Sequence, residues 1–114
     1  MTSNDNSIRT LRIAAVQMWS QEGSIPANLQ HATRLVEQAA HDGAELVLLP
    51  EFMPTGYLWD RRIWQAAETK DGPTAHWLRE TSARLHIWLG TSFLEADGRD
   101  FFNTFALTTP TGAT

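Results

Sequence analysis

The sequence contains no cysteine. Disulfide frameworks, thiolate zinc sites and a cysteine nucleophile within these residues are excluded together. Lysine occurs once, at Lys70, and the arginines are scattered, so there is no basic stripe of the kind that binds nucleic acid. No apolar run approaches the roughly 20 residues that span a bilayer. Met1 to Ser7 is polar and lacks a hydrophobic segment of the secretory type. The chain is therefore read as cytoplasmic, with neither a nucleic-acid nor a membrane partner. No Gly-rich loop follows either of the first two apolar runs, which argues against a nucleotide-binding α/β domain. His31, His41, His76 and His86 form no pair at metal-ligand spacing, so surface or capping roles are expected for them, and neither a metal nor a cofactor is called for.

What remains is an ordinary soluble composition: 42% hydrophobic, 19% charged, net charge -4. With 114 residues the chain is one domain or part of one. Residues 1–8 read as a disordered lead-in, and residues 9–114 carry the fold. Leu11 to Met18 is apolar and β-branched, of strand length. From Asn28, the positions Leu29, Ala32, Leu35, Val36, Ala39 and Ala40 recur at helical spacing. Asn28 suits the N-cap of that helix and Gly43 the C′ position. Leu46 to Leu49 then forms a second strand, which makes a βαβ unit with parallel strands. Arg61 to Lys70 reads as a short, weakly amphipathic helix. Gly72-Pro73 opens a longer one in which Trp77, Leu78, Thr81 and Leu85 share a face. Ile87 to Leu94 is a strand, joined by a turn over Ala96 to Asp100 to a final strand, Phe101 to Thr109.

Chemistry concentrates after the second strand, in Leu49-Pro50-Glu51-Phe52-Met53-Pro54-Thr55-Gly56-Tyr57-Leu58-Trp59. Pro50 cannot donate to a ladder and forces Leu49 to be extended, so pairing should stop there and Glu51 should emerge at the strand's C-terminal end. Ligands of open α/β sheets bind at that edge. Glu51 is thus a candidate general base, with Tyr57 and Trp59 as candidate substrate-binding walls. Glu45 precedes the strand, on the side away from that edge, and reads as structural. Lys70 lies nineteen positions after Glu51, just before a helix start, and reads as a solvated surface residue. Trp77 and Trp88 are expected in the core, whereas Trp19 and Trp64 are unassigned.

Taken with their flanks, these residues resemble the opening of the carbon-nitrogen hydrolase (nitrilase) superfamily. Arg12-Ile13-Ala14-Ala15-Val16-Gln17-Met18, Leu48-Leu49-Pro50-Glu51-Phe52, Thr55-Gly56-Tyr57, Gly72-Pro73, Gly90-Thr91-Ser92-Phe93 and Phe102-Asn103-Thr104 fall in the family's order and spacing. The resemblance implies the first part of an α-β-β-α sandwich, with one sheet face meant to be covered by a second sheet. It also implies hydrolysis of a small amide or carbamoyl substrate, less readily a nitrile, through a Glu-Lys-Cys triad. Glu51 matches the glutamate, while the lysine and cysteine positions would lie beyond the final hairpin, so an incomplete catalytic domain, inactive by itself, is expected. Family members are commonly dimers or larger assemblies, which makes a homo-oligomer the expected state of a full-length protein. Asn103 is expected to have a structural hydrogen-bonding role. The alternative from another class is a small non-catalytic α/β binding or scaffold protein that uses the uncovered sheet face.

Overall fold

Among the described residues, four strands form one mixed sheet in which neighbours follow chain order, and three helices accompany it. The structure, a computed structural model, describes residues 8–114, so the expected lead-in over Met1 to Ser7 lies outside the described residues. Strand β1 (Ile13–Ala15) leads through α1 (Ile25–His41) to β2 (Leu46–Leu48). Helices α2 (Arg62–Gln65) and α3 (Pro73–Leu85) follow, then the hairpin of β3 (Trp88–Asp97) and β4 (Asp100–Thr108). β1, β2 and β3 are mutually parallel, and β4 closes the sheet antiparallel to β3. The βαβ unit and the hairpin are those expected from the sequence, and no helix among the described residues is long and apolar enough to cross a membrane.

Register decides what each face carries. Ala14, Val47 and Leu89 are cross-strand partners. They face a core in which Ala32 and Val36 of α1 and Leu78 of α3 are fully buried. Fully burying the Val36, Val47, Leu78 and Leu89 side chains stabilises by about 1.5–3 kcal/mol each, so this row ties both long helices to one side of the sheet. The alternate row, with Ile13, Leu46 and Trp88 in register, points the other way. Phe105, opposite Ser92, and Leu107, opposite Gly90, extend it. Ile13 is 58% exposed, Trp88 40% and Phe105 58%, so Trp88 departs from the expected core position. Its alternation phase puts it on the face away from α1 and α3. Gly90 is needed on that face, because a Cβ there would lie 2.7 Å from the Phe105 ring and 3.1 Å from Leu48.

Helix α1 begins a turn earlier than expected. Its N-cap position is Ser24, and Pro26 sits in the first turn, where a missing N–H leaves no helical bond unmade. Asn28 is consequently inside the helix and buried. Its side chain accepts from the Gln21 amide (2.7 Å) and donates to the carbonyls of Gln21 (2.7 Å) and Pro54 (2.8 Å). The residue expected to cap the helix instead clamps the two loops at the C-terminal ends of β1 and β2. Helix α3 starts at Pro73 as expected, but its first turn is capped from a distance. Buried Glu68 accepts from the Thr74 amide at 2.7 Å and the Thr74 hydroxyl at 2.6 Å. The Glu68 backbone also bridges to β3, donating to Leu94 and accepting from Ala96.

The row Ile13, Leu46, Trp88 and Phe105 makes the isolated 114-residue chain prone to associate through this face. It should bind a hydrophobic dye and elute above monomer size, and the double substitution Trp88→Ser with Phe105→Ser should reduce both signals together. A dye-silent monomer with a sharp melt would contradict this reading of the face.

Candidate active site

Regular pairing along β2 ends as the sequence predicts. The Leu49 amide donates to Gly90 at 2.9 Å, and Pro50 has no amide to continue the ladder. The chain turns at that point. The Thr91 hydroxyl donates to the Pro50 carbonyl at 3.0 Å, and the Phe52 amide donates to the Ser92 hydroxyl at 3.0 Å. Phe52 takes a left-handed backbone with φ 55°, a conformation that costs a non-glycine residue roughly 1 kcal/mol or more and persists when its surroundings hold it. Those surroundings are specific. The Ser20 hydroxyl donates to the Met53 carbonyl at 2.8 Å, the Gly23 amide to the Thr55 carbonyl at 2.9 Å, and Met53 is fully buried.

Glu51 sits in this turn, at the C-terminal edge of the sheet, with its carboxylate open to solvent. Both oxygens are engaged: Oε1 accepts from the Tyr57 hydroxyl at 2.7 Å and Oε2 from the Asn103 side-chain amide at 2.9 Å. Two donors to the charged form favour ionisation. The Tyr57 hydrogen bond foremost, and that of Asn103 after it, hold the Glu51 carboxyl below its usual pKa against a small opposing desolvation. Donation to Glu51 raises the Tyr57 phenol in turn, with desolvation and the neighbouring negative charge acting in the same direction. The Tyr57 ring meets Phe52 edge-on (5.8 Å, 84°) and stacks on Trp59 (6.0 Å, 16°). A cleft of about 970 Å³ opens beside this group, lined among others by Met18, Trp19, Glu51, Tyr57 and Trp59.

The three residues singled out in the sequence, Glu51, Tyr57 and Trp59, are thus brought to one wall, though in different capacities. Tyr57 orients the carboxylate as well as lining the cleft, and Trp59 only lines it. Met18, from the end of the first apolar run, lines the same cleft as Glu51. Lys70 is exposed and makes no ion pair among the described residues. Glu45 lies at the opposite end of the strands, where its carboxylate accepts from the Arg12 amide at 3.1 Å. Among the described residues no group of three or more histidines and carboxylates could hold a metal.

The family model for carbon-nitrogen hydrolases matches residues 12–114. The chain belongs to the carbon-nitrogen hydrolase family. Among curated relatives it is similar to a nitrilase of Pyrococcus abyssi, 29% identical over 90% of the chain and 40% of that protein. It is also similar to the chloroplastic omega-amidase of Arabidopsis thaliana, 39% identical over 68% of the chain and 22% of that protein. Among solved structures, a CN-hydrolase superfamily protein from Xanthomonas campestris superposes with a TM-score of 0.83 at 31% identity, covering 93% of this chain and 39% of that one. The chain therefore spans about two fifths or less of the length of these relatives.

Within this carbon-nitrogen hydrolase chain, sequence reasoning left the role of Asn103 unspecific. Asn103 pairs with Leu94 across the hairpin, so it shares the open face with Ser92, and both reach the turn that carries Glu51. The alternation of Asn103 with Phe102 and Thr104 was a usable signal for its face. The register that brings it to Glu51 was not visible without the β3–β4 pairing.

Ser92→Ala leaves the half-buried Phe52 amide without its acceptor, an omission worth about 1–3 kcal/mol. Hydrogen exchange at the Phe52 amide should speed up by at least about fivefold. Unchanged exchange at Phe52 would show that the serine does not hold the turn.

Proposed function

We propose that this chain supplies the N-terminal part of a hydrolase acting on a small amide or carbamoyl substrate, with Glu51 as its general base. The observation that carries the proposal is a carboxylate at the C-terminal sheet edge, fixed by Tyr57 and Asn103 at 2.7 and 2.9 Å and facing a cleft. Kinship with a nitrilase and with omega-amidases supports the reaction class. The nucleophilic cysteine and the lysine of a Glu-Lys-Cys triad then come from outside these 114 residues, since the sequence has no cysteine.

Glu51 takes the thiol proton as sulfur attacks the carbonyl carbon. The lysine ammonium balances charge developing on the substrate oxygen. Collapse of the tetrahedral adduct breaks the C–N bond, and the proton held by Glu51 leaves with the amine. A water then attacks the thioester, again losing its proton to Glu51, and the acid departs as the thiol re-forms. Tyr57 and Asn103 keep the carboxylate in the ionised form that a proton acceptor needs, while each also lowers its basicity. Because Tyr57 and Asn103 carry no charge, they orient the carboxylate without neutralising it.

In the complete enzyme, Glu51→Gln should lower kcat/KM for a simple amide at least about 100-fold with the fold intact. The 114-residue chain alone should hydrolyse nothing above buffer. Turnover by the isolated chain, or near-normal activity of the glutamine variant, would refute the role assigned to Glu51.

A further inference from the structure

Trp19 and Trp59 are each 89% exposed although they belong to the residue type with the most apolar surface to hide. Both line the cleft that contains Glu51. Tyr57 stands between the carboxylate and Trp59, with its hydroxyl on Glu51 and its ring stacked at 6.0 Å and 16° on the indole. The Tyr57–Trp59 pair therefore starts at the base and runs outward from it as a stacked ledge, and Trp19 adds a second exposed indole to the same cleft. We propose that this ledge selects amides whose acyl side chain ends in a planar aromatic ring, with Trp59 and Trp19 as specificity-determining residues.

The proposal rests on the hydrolase reading above and names the substrate class for the same site. A carbonyl placed beside Glu51 puts a substituent two or three carbons longer alongside the Tyr57 and Trp59 rings, where offset or edge contacts between aromatic groups add to burial. The charges on the cleft walls do not favour the competing class, an aliphatic amide ending in a second carboxylate. Glu22 and Glu51 oppose the single guanidinium of Arg34 on this lining, and His31 is its only other titratable side chain besides Tyr57. Glu22 is also bridged by Arg62 at 3.3 Å. The lining supplied by these residues thus carries no excess of positive charge to hold an anion, while its aromatic edge is exposed.

The test compares 3-phenylpropionamide with glutaramate in the complete enzyme, as wild type, Trp59→Leu, Trp19→Leu and Glu51→Gln. The expected result is a kcat/KM at least about tenfold higher for the aromatic amide. Each tryptophan variant should lose several-fold on that substrate, mainly through KM, and its loss on glutaramate should be clearly smaller. A preference for glutaramate, or equal losses on both substrates in the leucine variants, overturns the ledge. If glutaramate hydrolysis is then still abolished by Glu51→Gln, the hydrolase reading survives without it. Absence of turnover with either amide removes both.

Discussion

Leu49 donates the last strand-type amide of β2, and Pro50 has none to offer. That single missing donor governs the upper edge of the sheet. Because pairing stops there, β3 runs on past β2 and its next hydroxyls, Thr91 and Ser92, become free to hold the turn. The turn presents Glu51 on the side of the sheet where β4 brings Asn103. Had the ladder continued, Glu51 would have been one more strand residue with its carboxylate committed to a sheet face.

The same edge is braced from below. Buried Asn28 joins α1 to the loops after β1 and β2, and Ser20 and Gly23 fasten those loops to each other. A left-handed Phe52 is held between these contacts. Its strain is offset by packing and hydrogen bonds made elsewhere in the turn. The consequence is a carboxylate whose position is set by backbone and neutral side chains. Among the described residues no cation pairs with it.

The order of elements and the place of Glu51 were legible because each depends on local chemistry: a short apolar run, a proline after it, a Gly-Pro helix start. The start of α1 was misjudged because Asn28 satisfies N-cap preference in isolation, whereas Pro26 allows the helix to begin sooner. Asn28 could not be recognised as a clamp, since its partners Gln21 and Pro54 are brought together only by the fold. Glu68 was passed over for a similar reason: a lone acid before Gly72-Pro73 gives no sign that it will be buried against Thr74. Trp88 looked like core because it lies in an apolar strand, but a strand has two faces and only one is covered by α1 and α3. Hydrophobic content predicts that a strand is buried; register decides which of its residues are.

The central claim is that Glu51 is an ionised carboxylate held by two donors. The most direct measurement is a carbon-13 NMR titration of its side-chain carboxyl. The folded-state pKa should lie below the reference of 4.5. Tyr57→Phe and Asn103→Leu should each move it upward, because each removes a donor that favours the charged form. A pKa at or above the reference in the native chain, or one unmoved by either substitution, would contradict the account.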